Sequence, residues 1–362
     1  LGDITMHEGP IDIDGSQGEG GGQLLRNAVA LAAICGRPIR VYNIRVKRKN
    51  PGLRPQHLHA VKLVGRLCGA EMWGLEENSM EIRFSPKLIR GGSFLIDIGT
   101  AGSITLLLQC VLPVLAFTKV KSTLKITGGT SVKWAPPVPY MTNVFLPILS
   151  TYMGFEPTVN LVRHGYYPKG GGLVEVEASP VSKLDPIILT ERGNIEAIKG
   201  ISYCSKLPKH VAERQAQSAK RTLAKHGLNE VSIEVVTDMN AMSPGSGIVL
   251  WAKSSLGAII GADSLGERGK KAEYVGDEAA QQLISQLQRN KPVDKHLSDQ
   301  LIVWMALADG VSRIECTELT LHATTSMELC ETIAEAEFKV TGRLGTPAII
   351  ECRGTGESLR RG

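Results

Sequence analysis

Nine residues, Asp14-Gly15-Ser16-Gln17-Gly18-Glu19-Gly20-Gly21-Gly22, lead directly into an apolar segment, Gln23 to Cys35, which Gly36 stops. Glycines at this density let backbone come close to phosphate oxygens, and a helix starting behind them aims its first N–H groups at the same point. Glu19 would repel a bare phosphate, but it makes chemical sense as the holder of a divalent cation that bridges to one. The plainer alternative is a glycine-rich turn with an exposed glutamate. The spacing matches neither the Gly-x-Gly-x-x-Gly fingerprint nor the Walker phosphate loop, so an ordinary dinucleotide fold is disfavoured.

Charge is unevenly spread behind this loop. The chain carries 41 Lys and Arg against 36 Asp and Glu, yet from Gly20 to Ala70 there is no acid at all, while Arg26, Arg37, Arg40, Arg45, Lys47, Arg48, Lys49, Arg54, Lys62 and Arg66 all fall there. A carboxylate-free window of that length points to an anionic ligand, with a solvated basic face as the alternative. Arg45 and Arg48 sit at the end of an expected strand, Arg40 to Val46. Gln56 and His57 open an expected helix after Pro55, and arginine forks suit phosphate oxygens there.

Of eight histidines, His322 stands out. In Glu318-Leu319-Thr320-Leu321-His322 the leucines alternate as on one strand face, which predicts a strand over Thr317 to His322. Thr325-Ser326-Met327-Glu328 then has a capping-box pattern, so a helix is expected from Thr325. An imidazole near a helix N-terminus is held neutral by the dipole that also draws in phosphate, a coherent setting for a nucleophilic nitrogen. The alternative is a structural histidine at a strand end. Ala262-Asp263-Ser264-Leu265-Gly266 lacks the first glycine of a nucleophile elbow and is taken as a turn. Neither a His-Glu-x-x-His pair nor the Lys-x-Asp-Gly core of lysine-adenylating ligases occurs.

The elements that must position these residues repeat. Ile11-Asp12-Ile13, a glycine loop and an apolar helix return as Ile96-Asp97-Ile98, Gly99 to Ser103, and Ile104 to Leu112. Strand-like alternation marks Ser122 to Thr127, and helical spacing marks Leu58 to Cys68 and Tyr140 to Met153. Alternation of the two periods implies packed layers of sheet and helix, an α/β (α+β) class. From about Leu184 the glycine clusters thin out. A polar helix near His210 to His226 and a strand at Val231 to Val235 follow, before the earlier style resumes after Asp294 with a helix at Ser298 to Ala308. That pattern predicts a small domain inserted at 185–285 into a large one formed by 1–184 and 286–362. A chain of 362 residues, 43% apolar and 21% charged, is long enough for such cores and excludes wholesale disorder.

The longest apolar stretch, Leu106 to Phe117, is interrupted by Gln109 and too short to span a bilayer, and the acidic N-terminus has no signal-peptide pattern. No membrane association is expected. Seven dispersed cysteines without a Cys-x-x-Cys pair suggest a reducing, cytoplasmic setting and no structural zinc.

Together, DGSQGEGGGQLLR (Asp14 to Arg26), PGLRPQHL (Pro51 to Leu58), GTAGSITLLLQ (Gly99 to Gln109), APPVPY (Ala135 to Tyr140), HGYYPKGGG (His164 to Gly172), LTERGN (Leu189 to Asn194), DQLIVWMALADG (Asp299 to Gly310) and LTLH (Leu319 to His322) resemble the RNA 3'-terminal phosphate cyclase family over nearly the whole chain. The resemblance implies repeated βαβαββ units like those of the C-terminal domain of translation initiation factor 3, with a smaller inserted α/β domain. It implies ATP and a divalent metal, Mg2+ or Mn2+, as cofactors, and RNA with a 3'-phosphate end as partner; a homo-oligomer is left open. It implies His322 as the nucleophile that takes up AMP and Glu19 as the metal support. Arg26, Arg45, Arg48, Gln56 and His57 are implied at the phosphate and RNA site, and Gln109, Pro136, Tyr140, His296, Asp299 and Gln300 around ATP. Gln109 could equally be a satisfied polar group in a buried helix. His296 departs from the family, since many relatives have an aromatic residue before Leu-x-Asp-Gln-Leu, which puts nucleotide selectivity in doubt. Some relatives are catalytically silent RNA-binding proteins of ribosome assembly without the histidine, and that is the alternative function. A generic phosphate-binding metabolic enzyme is a third.

Overall fold

The computed structural model describes residues 9–356. Near the N-terminus the chain runs β1 (Ile11–Asp14), α1 (Gly22–Cys35), β2 (Ile39–Tyr42), α2 (Pro55–Cys68), β3 (Glu71–Trp73) and β4 (Ile82–Ser85). Alanine and leucine fill α1, which is buried along most of its length and ends where Gly36 turns left-handed. Pro55 takes the first position of α2, where its missing N–H costs nothing. In the sheet β1 pairs parallel with β2, while β4 runs antiparallel to both β2 and β3.

The next stretch repeats that wiring. It contains β5 (Ser93–Asp97), α3 (Ile104–Ala116), β6 (Ser122–Gly128), a winding helical segment, β7 (Thr158–Arg163) and β8 (Gly172–Ala178). β5 is parallel to β6, and β8 runs antiparallel to β6 and β7. The winding segment links α4 (Val138–Tyr140) and α5 (Leu146–Ile148) through wider π turns at Met141–Phe145 and Leu149–Met153. Pro147 has no N–H for a regular turn, so the helix expected from Tyr140 to Met153 forms with these expansions.

A third sheet begins with β9 (Ile188–Leu189), but its partners come more than a hundred residues later. Between them lie β10 (Ile195–Ser205), α6 (His210–Ala224), β11 (Val231–Asp238), β12 (Gly245–Ser254), β13 (Ile259–Leu265) and α7 (Ala272–Gln288), forming a sheet of order β11-β10-β12-β13. Ile248, Leu250, Leu223, Val275 and Leu283 belong to an apolar cluster of its own. The chain then completes the third sheet with α8 (Lys295–Leu307), β14 (Val311–Cys316), α9 (Leu321–Ala334), β15 (Glu337–Gly342) and β16 (Ala348–Arg353). Here β9 is parallel to β14, and β16 runs antiparallel to β14 and β15, the same relations as in the first two sheets. One continuous apolar cluster runs through these three sheets.

Three expectations need correction. Ala262 to Leu265, taken as a turn, lies in β13, paired antiparallel with β12. The strand over Arg40 to Val46 ends at Tyr42, because Asn43 and Arg45 adopt positive φ and turn the chain away. No strand reaches His322: β14 stops at Cys316 and α9 starts at Leu321. Thr320, not Thr325, caps that helix by accepting from the Ala323 N–H, while Thr325 Oγ1 donates back to the Leu321 carbonyl. His322 therefore lies in the first turn of α9 rather than on a sheet edge. Among the described residues no helix is long and apolar enough to cross a membrane.

Candidate active site

The N-termini of α1 and α9 are tied together. Asn27 Nδ2 and Gln23 Nε2 on α1 lie 2.9 and 3.2 Å from Ser326 Oγ on α9, and that hydroxyl donates to the His322 carbonyl at 2.8 Å. Gly18 at φ +54° rests on Thr325, where a Cβ would come within 1.9 Å of Oγ1. These contacts deliver His322 to the glycine loop. Its Nε2 lies 2.7 Å from Glu19 Oε2, and Arg48 Nη2 lies 3.2 Å from the same oxygen. That oxygen is shielded from solvent, with these two side chains as its close contacts. Partial burial pushes the His322 imidazole below its ordinary value; Glu19 opposes the shift, and Arg26 and Arg48 reinforce it. The net direction favours the neutral ring, the form that can attack phosphorus, against the pull of the adjacent Glu19 carboxylate.

Behind the loop, the phosphate residues expected from sequence gather around the start of α2. His57 is buried, and its Nδ1 accepts from the Arg54 N–H at 3.2 Å, which leaves the ring proton on Nε2. Burial first, then Arg26, Arg45 and Arg54, push its pKa down to about 2. His57 is therefore a permanent neutral donor. Gly22 must be glycine to fit there, since a Cβ would stand 2.1 Å from His57 Nε2. Arg26 is buried on α1, its Nε has no partner, and desolvation lowers its pKa to about 10. Among the described residues it makes no ion pair with a carboxylate. A buried cation left without an anion costs stability unless something else supplies one. Arg45 is committed differently: its Nη1 donates to the carbonyls of Asn50 and Gly52 and folds the basic loop. Gln56 Oε1 accepts from the Ser103 N–H at 2.9 Å, joining the second glycine loop to α2.

The expected nucleotide residues are divided between surface and support. Gln109 is half-buried on α3, and the Pro136 carbonyl accepts from Thr105 Oγ1 at 2.7 Å. Tyr140 is fully buried, with its hydroxyl donating to Asp294 at 2.8 Å, so it braces the start of α8 and faces no open space. His296, in the first turn of α8, is solvent-exposed yet recessed enough that its charged form is disfavoured; His322 is one of the charges that act on it. Asp299 accepts from Thr320 Oγ1, and burial pushes its carboxyl up to about 8. Gln300 Nε2 donates to the His296 carbonyl at 3.0 Å, while its Oε1 is shielded and without a partner.

Asp294, Thr320, Asn27 and Ser326 were not singled out from sequence. Asp294 caps α8 by accepting from the His296 and Leu297 N–H groups, a role legible in an Asp placed just ahead of an apolar helix. The other three act through tertiary contacts 21 or 299 residues apart in sequence, which carry no local signal.

A divalent metal fits this donor set only in part. The shielded Glu19 oxygen is a suitable hard ligand once freed from His322 and Arg48, but no group of three or more His, Cys, Asp or Glu that could hold a metal occurs among the described residues. Mg2+ often binds through one carboxylate plus substrate phosphates, so a bound nucleotide would have to complete the shell.

Comparison with known proteins agrees with these motifs. Residues 17–340 match the family described as RNA 3'-terminal phosphate cyclase. A protein of that name from Pyrobaculum aerophilum is 47% identical over 347 residues, covering 96% of this chain and 99% of its own. Those from Desulfurococcus amylolyticus and Methanopyrus kandleri are 47% and 44% identical, each over 96% of this chain and 98% and 99% of their own lengths.

Proposed function

This chain belongs to the RNA 3'-terminal phosphate cyclase family, and on that premise we propose that it converts an RNA 3'-terminal phosphate into a 2',3'-cyclic phosphate at the expense of ATP. His322 Nε2 attacks the α-phosphorus of ATP. A P–N bond forms, the bond to pyrophosphate breaks, and its electron pair leaves with pyrophosphate. An oxygen of the RNA 3'-phosphate then attacks the same phosphorus, breaking the P–N bond and restoring neutral imidazole. The neighbouring 2'-hydroxyl finally attacks the activated 3'-phosphorus, losing its proton as AMP departs. Capping the dianion with AMP lowers its charge and supplies a leaving group, and the last attack is intramolecular, which can be worth about 7–11 kcal/mol.

Within this scheme Arg26 and the Nε2–H of His57 hold phosphate oxygens, while Arg48 sets Glu19. Arg45 and Gln56 shape the walls on either side. Gln109, Pro136, His296, Asp299 and Gln300 surround the nucleotide, with Tyr140 behind them. A divalent cation held at Glu19 would neutralise charge on the departing pyrophosphate.

One observation carries this reading: the first-turn imidazole of α9 lies 2.7 Å from a solvent-shielded carboxylate oxygen of the glycine loop, beside Arg48. A silent RNA-binding relative has no use for that pairing. The likeness of the three matching sheets to the C-terminal domain of translation initiation factor 3, the division at 185–285 and a cytoplasmic setting belong to the same proposal. The test is a 3'-phosphorylated oligoribonucleotide. Its terminus should become resistant to phosphatase only when ATP is present, whereas a terminus that stays sensitive rules the activity out. A DNA 3'-phosphate should be adenylylated and go no further, because it lacks the 2'-hydroxyl.

A further inference from the structure

Two large aromatic side chains stand in solvent on adjoining loops: Trp134 is 95% exposed and Tyr167 80%. Single exposed rings need no explanation. These two, however, rise from a rigid common base. The N–H groups of Thr130 and Ser131 both donate to the Gly165 carbonyl, and the Gly165 N–H donates to Thr130 Oγ1. The Thr130 carbonyl also accepts from Val138, closing the loop that carries Trp134. Beside Tyr167, Tyr166 is buried and bonded to Ser205, and His164 stacks between Tyr166 and Tyr203 at 5.8 and 4.9 Å. The tips are therefore exposed while their bases are anchored.

The surroundings suit a polyanion with flat bases. From Ile98 to Val174 the chain has one carboxylate, Glu156, against Lys119, Lys121, Lys125, Lys133, Arg163 and Lys169. Lys169, two residues from Tyr167, has no ion-pair partner among the described residues, whereas Lys121, Lys125 and Lys133 do. Met242, 53% exposed, lies against Gly171 and extends the apolar surface onto the inserted segment. The Tyr167 loop also abuts the second glycine loop, since Gly170 packs on the Thr100 carbonyl. That loop bonds Gln56, next to His57 at the phosphate site. Contacts thus connect the Tyr167 loop, through the second glycine loop and Gln56, to the start of α2 that carries His57.

We propose that Trp134 and Tyr167 form a stacking platform for single-stranded RNA, holding bases upstream of the terminal phosphate. The inference rests on the reading that an RNA 3' end enters beside His322. Stacking on aromatic faces is tolerant of sequence and is worth about 5- to 150-fold in affinity per base. The enzyme would accordingly favour longer RNA ends over short ones without choosing among sequences.

The experiment compares a 3'-phosphorylated dinucleotide with an oligoribonucleotide of about ten residues, spanning the usual range of single-strand site sizes. Wild type and the Trp134→Ala/Tyr167→Ala double variant are assayed for cyclisation, and RNA titrations are followed by tryptophan fluorescence. The double variant should raise KM for the longer RNA about tenfold or more, leaving kcat, the dinucleotide and adenylate uptake from ATP unchanged. Longer RNA should quench wild-type fluorescence, and Trp134→Phe should abolish most of that quench while keeping KM. Equal effects on both lengths, or no effect, overturn the platform. So does a concentration-dependent dimer that the double variant dissolves, which would make the rings a self-association surface. Should wild type cyclise neither RNA, the underlying reading fails, and the fluorescence titration still decides whether Trp134 meets RNA.

Discussion

The loop before α1 and the loop before α3 occupy the same place in two sheets of the same wiring. Each leads from a strand into a buried apolar helix with no acidic residue in its first turn. At α3, Ser103 Oγ accepts from the Leu106 N–H, and its own N–H is taken by Gln56. At α1 the capping residue is Gly21, which has no side chain to offer, and no side-chain cap forms. The second loop has its helix-start N–H groups met within the protein, by Ser103 and by Gln56. The first has no side-chain cap and faces Arg48, His57 and His322, an arrangement suited to the anion proposed there.

Substitutions of glycine should separate the two loops most sharply. Gly22→Ala drives a Cβ into His57 Nε2 and should lower the ATP-dependent rate about 100-fold through misplacement of the site. Gly99→Ala meets nothing within 4 Å and carries only the left-handed penalty, about 1 kcal/mol of stability with the rate retained. Comparable rate losses in the two variants would break the contrast.

Arg26→Met sets stability against function. Removing a buried cation whose Nε has no partner should stabilise the ligand-free fold by about 1–3 kcal/mol, read as a higher Tm, while turnover is lost. A lower Tm would mean that Arg26 is a structural group. Ser103→Ala should do the reverse, costing about 1 kcal/mol of stability with adenylate uptake intact.

The smallest expected effect is on pH. Because the His322 pKa lies below its ordinary value, adenylate uptake should hold as pH falls through the usual histidine range and decline only in stronger acid. Arg48→Ala removes a charge that lowers this pKa and should move the acid limb to higher pH. Glu19→Gln removes the one that raises it and should move the limb lower. Rate profiles with both variants moving the same way would contradict the electrostatics of the site.

Much of this was legible in local patterns. The glycine loop, α1 and the start of α2 all announce themselves through periodicity, Pro55 and Gly36. Errors arose where tertiary contacts overruled local preference. Alternating leucines at Leu319 and Leu321 read as strand, yet Thr320 has both Asp299 and the Ala323 N–H as partners, and a cap anchored at two points fixes the helix there. Tyr140 sits in a motif from which a nucleotide contact was expected, but nothing in sequence tells that Asp294, 154 residues away, takes its hydroxyl. The Glu19–His322 pairing joins the loop before α1 to α9, far apart in sequence; the resemblance gave each residue a role but not their contact.

The most direct measurement is incubation of the protein with α-labelled ATP and Mg2+, followed by denaturation and acid treatment. An acid-labile adduct should form on the wild-type chain and be absent from His322→Ala. Normal labelling of that variant would show that another residue accepts the adenylate.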